Sequence, residues 1–180
     1  MIAELLKYND SFVKNESFMQ YAAEKYPSKK IAILTCMDTR LVELLPAALG
    51  IRNGDVKMIK NAGAMILDPF DSTVRSLLIS ILELTVEEIM IIGHTDCGIK
   101  NIDFHKLRAH LLERGISPET LREITDQGLD LEHWFCGFES PESSVRNSMD
   151  ILKKHPLMPL DIHISGYVMD IITGQLISVA

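Results

Sequence analysis

Three side chains that bind soft metal ions follow apolar runs of the sequence. Cys36 comes directly after one such run, and His94 and Cys97 come after another with the spacing His-x-x-Cys. Two thiolates and an imidazole suit Zn²⁺, and three protein ligands leave one tetrahedral position for water, as in catalytic zinc sites. The His-x-x-Cys spacing alone is a weak signal, because a histidine at the start of a helix and a buried thiol give the same pattern.

Two charged residues follow the first of these cysteines closely. Asp38 and Arg40 lie two and four residues after Cys36. On a surface they would form an ion pair worth about 0–1 kcal/mol. Beside a metal they would form a dyad in which Arg40 orients Asp38 and keeps its carboxylate ionised near neutral pH. Two roles stay open for that carboxylate: it accepts a hydrogen bond from metal-bound water, or it takes the fourth metal position itself.

The elements that must position these residues are strands that alternate with helices. Short apolar runs predict buried strands, and amphipathic segments with capping signals predict helices. The predicted strands are 30–35, 55–60, 88–92, 161–168 and 176–179, and the predicted helices are one or two in 1–25, then 41–49, 72–84, two within 101–128 and 141–155. This alternation predicts an α/β fold with a mostly parallel sheet and helices on both faces.

The predicted sheet supplies a place where the ligands can meet. In open parallel sheets the ligand crevice lies beyond the carboxyl ends of the strands, at the point where the strand order reverses. If the first and third strands are neighbours, Cys36, His94 and Cys97 converge in that crevice. The neighbouring residues Ala64, Met65 and Ile66 are then candidates either for an apolar lining or for core packing.

Composition restricts the class of protein and its location. The chain has 180 residues, 47% of them apolar, and a net charge of −7 from 18 basic and 25 acidic residues. One compact domain is expected, and nucleic acid is not an expected partner, because the basic residues are few and dispersed. The odd count of three cysteines favours a reducing compartment. With no signal-peptide pattern at the amino terminus and no apolar run of about 20 residues, a cytoplasmic protein without a membrane partner is expected.

In these motifs the sequence resembles the beta-class carbonic anhydrases. Their pattern of Cys-x-Asp-x-Arg followed by His-x-x-Cys is matched here by Cys36, Asp38, Arg40, His94 and Cys97. The resemblance extends through residues 61–63, 75–77, 93–98, 143–146 and 155–157 and covers most of 28–180. The compact length is similar to the archaeal-type branch of that family.

The resemblance implies a structure and an activity. It implies a strand order of 2-1-3-4 with an antiparallel carboxyl-terminal addition, one zinc ion per subunit, and reversible hydration of carbon dioxide to bicarbonate and a proton. It also implies a homodimer or larger homo-oligomer with exchanged amino-terminal helices. Residues 1–27 are then an arm on a partner subunit, and residues 28–180 are the zinc-binding catalytic domain. The expected metal residues are Cys36, Asp38, His94 and Cys97, and the expected catalytic residues are Asp38 and Arg40. Residues 101–138 depart from the family pattern and could reshape the mouth of the cleft.

Other interpretations remain open at this stage. The same scaffold could hydrolyse carbonyl sulfide or carbon disulfide, or the protein could be a zinc-binding regulatory module without activity. A thiol redox protein is disfavoured, because the reactive Cys-x-x-Cys pattern is absent. His133-x-x-Cys136 repeats the ligand spacing and could mark a second metal site, although no buried strand precedes it. The alternative for Cys136 is a packed thiol beside Trp134 and Phe135.

Overall fold

Five strands form one sheet in the part of the chain that the computed structural model describes, residues 1–179. They are β1 (Ile31–Cys36), β2 (Val56–Asn61), β3 (Glu88–His94), β4 (His163–Met169) and β5 (Leu176–Val179). The order across the sheet is β2-β1-β3-β4-β5; β1 to β4 are parallel, and β5 is antiparallel to β4. The α/β fold and the strand order expected from the sequence are confirmed.

Seven α-helices connect and flank these strands within the same described residues. They are α1 (Ile2–Lys14), α2 (Leu41–Leu49), α3 (Ser72–Leu84), α4 (Phe104–Glu113), α5 (Pro118–Asp126), α6 (Leu131–Trp134) and α7 (Pro141–Lys153). Three of them begin at a side-chain cap: the side chains of Asp71, Ser117 and Ser140 accept hydrogen bonds from backbone N–H groups in the first turns of α3, α5 and α7. No helix in residues 1–179 is long and apolar enough to cross a membrane.

The sheet is covered on both faces, which is why its central strands are continuous apolar runs. On one face, Val74 and Leu77 of α3 and Val145 of α7 pack in one cluster with Leu34 of β1 and Ile91 of β3. On the other face, Leu41 and Leu45 of α2 pack with Ile33, Ile92 and Met169. The central strands β1 and β3 are therefore held rigidly, and so are the residues at their carboxyl ends.

The amino-terminal helix takes no part in the packing of these two clusters. Within the described chain, none of the residues of α1 is buried. Its apolar side chains face outwards, with Ile2, Leu5 and Leu6 between 62% and 76% exposed. Contiguous exposed apolar side chains of this kind mark surfaces that associate with another molecule.

Residues 101–138 form a helical excursion whose two ends meet. The two short helices predicted in 101–128 are confirmed as α4 and α5, and the four-residue α6 follows them. The backbone N–H of Asn101 donates to the carbonyl oxygen of Phe138 at 3.0 Å. At Gly137 an added Cβ would collide with the carbonyl oxygen of Ile99 and lie 2.9 Å from the backbone nitrogen of Ile102. We call this contact between residues 99–102 and 136–138 the seam; it needs glycine at 137.

The seam generates a prediction about stability. Replacing Gly137 by alanine should lower the free energy of unfolding by about 1–3 kcal/mol, because backbone atoms cannot rotate away from the added methyl group. Urea unfolding followed by circular dichroism measures the difference. Gly98→Ala is the control, since a Cβ at Gly98 meets no atom within 4 Å. Equal stability of the two variants would contradict the steric account of the seam.

Candidate metal centre

The structure brings Cys36, His94 and Cys97 together at one edge of the sheet. Strands β1 and β3 pair in parallel, so the last residue of β1, Cys36, lies close to the end of β3 at His94. All three side chains are buried, and their ligand atoms lie within 4.8 Å of one another. The sulfur atoms of the two cysteines are 3.8 Å apart. The convergence predicted from the strand ends is thus what the structure contains.

The histidine ring is oriented for a ligand. Nδ1 of His94 lies 2.8 Å from the carbonyl oxygen of Thr95. Because a carbonyl can only accept, Nδ1 carries a proton, and in the neutral ring Nε2 presents a lone pair. Nε2 is buried and has no hydrogen-bond partner among residues 1–179. A buried acceptor without a partner is costly, and a metal ion is the kind of group that would satisfy it.

The two thiols differ in their ionisation. Burial raises the pKa of a thiol, but at Cys36 the neighbouring His94 ring and the backbone N–H groups of Asp38 and Gly63 outweigh burial and lower the pKa to about 7. At Cys97 burial dominates, and together with the negative charge of Cys36 it raises the pKa to about 11. Two thiols this close cannot both ionise readily unless a cation lies between them.

A rigid loop after β2 supplies one of the donors to Cys36. The backbone N–H of Gly63 points at the sulfur atom, with 3.4 Å between nitrogen and sulfur. Gly63 has φ +81° and the next residue, Ala64, has φ +56°, so this turn uses the left-handed region twice. The Asn61 side chain fixes the turn, accepting from the N–H of Met65 and donating to its carbonyl oxygen.

Arg40 holds the Asp38 carboxylate beside Cys36, His94 and Cys97. Nε and Nη2 of Arg40 donate to the two oxygens of Asp38 at 3.0 and 2.8 Å. The backbone N–H of Arg40 donates to the same carboxylate. These hydrogen bonds and the charge of Arg40 hold the pKa of Asp38 at about 2. Oδ2 of Asp38 is 3.9 Å from Nε2 of His94, so the carboxylate faces the centre while both its oxygens are engaged by Arg40.

Arg40 has a second acidic partner that the sequence reasoning did not single out. Nη1 of Arg40 donates to Oδ2 of Asp96 at 2.8 Å, and Nη2 donates to the backbone carbonyl oxygen of Asp96 at 2.8 Å. The only signal in the sequence is that Asp96 stands directly before a ligand, in the run 93–98. Nothing in that spacing indicates which basic side chain Asp96 would contact.

A cleft of about 340 Å³ opens over the centre. Its lining includes Cys36, Asp38, Arg40, Cys97 and Ile99. Of the residues considered as an apolar lining, Ala64 and Ile66 are fully buried in the core cluster of α3 and α7, so for these two core packing is the observed role.

The excursion 101–138 affects this region through its ends. Ile99 and Phe138, which belong to the seam, pack against the cluster that contains Cys36 and Cys97. The ring of Phe138 lies next to Gly63. The excursion therefore reaches the wall of the candidate metal centre.

The second spacing of His-x-x-Cys forms no comparable centre. A metal site needs at least three His, Cys, Asp or Glu side chains close together. In the described chain, only Cys36, His94 and Cys97 form such a group. His133 and Cys136 instead line a separate cavity of about 320 Å³ next to α7. They lack the third ligand that a metal site requires.

Comparison with known proteins agrees with this fold and site. The family model for carbonic anhydrases matches residues 31–176. A Bacillus subtilis protein named "Putative carbonic anhydrase YtiB" is 44% identical over 176 residues, which cover 98% of this chain and 94% of that protein. A carbon disulfide hydrolase of Saccharolobus solfataricus is 31% identical over 163 residues, or 82% of this chain and 76% of that protein.

Solved structures of beta-carbonic anhydrases have the same fold as this chain. The crystal structure of beta-carbonic anhydrase isoform I from Trichomonas vaginalis superimposes with a TM-score of 0.90 at 34% identity, covering 99% of this chain and 97% of that chain. Both the sequence and the fold define a class of α/β proteins with a Cys-His-Cys centre. This chain belongs to the beta-carbonic anhydrase family.

The ion pair generates a prediction about titration. In the metal-free protein, Arg40→Gln should raise the pKa of Asp38 from about 2 towards its ordinary value of 3.8, because the hydrogen bonds that favour the carboxylate are lost. NMR titration of the Asp38 carboxyl carbon measures this change. The lowered pKa belongs to the folded state, so the wild type loses the stability contributed by Asp38 as the pH falls below about 4, and the variant loses less.

The control for this titration is Arg122→Gln. Arg122 pairs with Glu119 on the surface of α5, so its removal should leave the Asp38 titration unchanged. An Asp38 pKa that stays near 2 in Arg40→Gln would show that another group holds the carboxylate.

Proposed function

We propose that this chain is a zinc enzyme that catalyses the reversible hydration of carbon dioxide to bicarbonate and a proton. Membership of the beta-carbonic anhydrase family supports the reaction. The observation that supports the metal is the buried group of two thiols and an imidazole, in which Nε2 of His94 has no partner in the described chain. Sulfur and imidazole donors are those that zinc prefers, and three ligands leave room for a reactant.

Each residue of the centre has a proposed role. Cys36, His94 and Cys97 would hold one zinc ion per subunit, and a bound zinc ion supplies a hydroxide nucleophile near neutral pH. Asp38 stays ionised and faces the same pocket, where it accepts a hydrogen bond from a reactant. Arg40 orients Asp38 and occupies both of its oxygens, which keeps the carboxylate from the ligand position. Direct ligation of the metal by Asp38 stays a prediction for a state in which Arg40 has released it.

Carbon disulfide or carbonyl sulfide is the second candidate substrate. A relative named carbon disulfide hydrolase is 31% identical to this chain. Carbon dioxide, carbonyl sulfide and carbon disulfide are all small and uncharged, so the net charge of −7 steers none of them. Parallel assays with the three substrates separate the candidates; carbon dioxide is the expected one, because the 44% identical relative is named for that activity.

The assembly and location are also proposed. The exposed apolar side chains of α1 favour a homodimer in which residues 1–27 of each subunit pack on the partner, as the family resemblance implies. The working compartment is proposed to be the cytoplasm, because the two ligand thiols must stay reduced to hold zinc.

The ligand assignment predicts a contrast among the three cysteines. Cys36→Ala and Cys97→Ala should each lose bound zinc and carbon dioxide hydration, while Cys136→Ala should keep both, since Cys136 lies outside the cluster. Zinc content by mass spectrometry and hydration by stopped-flow measure the two properties. Loss of zinc in Cys136→Ala, or stoichiometric zinc in Cys36→Ala, would contradict the assignment. Stoichiometric wild-type zinc without hydration would favour the regulatory alternative.

The arm proposal predicts a change of mass in solution. Light scattering should give the wild type a mass of at least twice the 20.2 kDa chain. Leu5→Glu should raise the dissociation constant at least about tenfold, because the substitution puts a charge where an apolar side chain is buried against the partner. Ser11→Glu, on the opposite face of the same helix, is the matched control and should stay associated. A monomeric wild type, or an unaffected Leu5→Glu, is incompatible with the proposed arm.

A further inference from the structure

The guanidinium of Arg40 joins two loops. The family motif Cys-x-Asp-x-Arg includes its partner in one of them, Asp38, but not its partner in the other. Arg40 and Asp38 belong to the loop that follows β1, whereas Asp96 belongs to the loop that follows β3. Of the five N–H donors of an arginine side chain, Arg40 directs two to the Asp38 carboxylate and two to Asp96. The plane of the guanidinium is therefore fixed from both sides.

The hydrogen bonds to Asp38 alone hold the exposed side chain of Arg40 weakly.

 The Arg40 side chain is 43% exposed, and ion pairs at that exposure are weak, because water and side-chain entropy compete with them. A second anchor removes the rotamers in which Nε and Nη2 would turn away from Asp38. Asp96 supplies that anchor with two acceptors of different kinds, a carboxylate oxygen and a backbone carbonyl oxygen.

The backbone at Asp96 is in a conformation that few residues adopt. Its φ is +52°, in the left-handed region, where aspartate, asparagine and glycine are tolerated better than other residues. The neighbouring residues are fixed on both sides: the N–H of Thr95 donates to the carbonyl oxygen of Met169, and Cys97 is buried in the centre. In this conformation the Asp96 carbonyl oxygen accepts from Nη2 of Arg40, so the left-handed backbone is tied directly to the arginine.

We propose that Asp96 is a positioning residue for the reaction, which fixes the guanidinium of Arg40 so that Arg40 in turn holds Asp38 in place. The proposal rests on the proposed function, because it assigns a task to Asp96 at the same centre. Asp96 itself touches none of the three ligand atoms that gather in the centre. Its side chain is 81% exposed, and it acts through Arg40 alone.

The test separates the Asp96 side chain from its backbone. Asp96→Gly keeps the left-handed backbone and the carbonyl oxygen but removes the carboxylate, whereas Asp96→Asn keeps an oxygen that can accept from Nη1. Glu119→Gln is the matched control, because Glu119 is also an exposed carboxylate bound to an arginine. All variants are made in the full chain and loaded with zinc, and their zinc content and melting temperature are measured.

Two measurements read out the proposal. In nitrogen-15 NMR spectra, the Nε–H signal of Arg40, assigned by its loss in Arg40→Gln, should exchange with water at least about tenfold faster in Asp96→Gly than in the wild type. In stopped-flow assays, kcat should fall by about tenfold in Asp96→Gly with KM changed less than about twofold, because Asp96 does not contact the substrate. In both measurements Asp96→Asn should lie between the wild type and Asp96→Gly, and Glu119→Gln should match the wild type.

The outcomes distinguish this proposal from the proposed function. An Arg40 signal and a kcat that stay at wild-type values in Asp96→Gly would overturn the positioning role, and so would a fall in kcat with an unchanged Arg40 signal. A fall in melting temperature alone would mean that Asp96 only joins the two loops, which also overturns it. If the wild type does not hydrate carbon dioxide, the proposed function fails, while the Arg40 signal still tests whether Asp96 fixes the guanidinium.

Discussion

Two thiols and an imidazole that share one buried pocket impose the constraint on which the rest of the structure depends. The sulfur atoms lie 3.8 Å apart, so ionising one thiol opposes ionising the other. His94 and backbone N–H groups lower the pKa of Cys36, whereas burial and the negative charge of Cys36 raise the pKa of Cys97. A divalent cation relieves this opposition, because it pairs with both thiolates and with the free lone pair of His94. The pocket is therefore built for a group that carries positive charge.

The scaffold meets this constraint by placing each ligand at a position that cannot move far. Strands β1 and β3 are adjacent, parallel and covered on both faces, so their carboxyl ends are fixed relative to each other. Around the ligands, backbone groups do much of the orienting. The Thr95 carbonyl sets the tautomer of His94, and the Gly63 N–H stabilises negative charge on Cys36. The charged residues Asp38 and Arg40 complete the shell from the more exposed side.

Much of this arrangement could be predicted from the sequence, and the reason is the regularity of its strands. The runs before Cys36 and through His94 are continuous and apolar, which identifies central strands and therefore the edge at which the ligands meet. The contacts of Gly63 and Asp96 could not be predicted in the same way, because they depend on left-handed backbone conformations at +81° and +52°. The seam at Gly137 depends on a close approach of two backbone segments, which no periodicity in the sequence records.

X-ray absorption at the zinc edge of the protein purified with its native metal measures directly whether both cysteines bind one zinc ion. Two sulfur ligands at about 2.3 Å are expected, with the remaining nitrogen or oxygen ligands at about 2.0–2.1 Å. A first shell made only of nitrogen and oxygen, or one with a single sulfur, would contradict the assignment of Cys36 and Cys97 as joint ligands of one zinc ion.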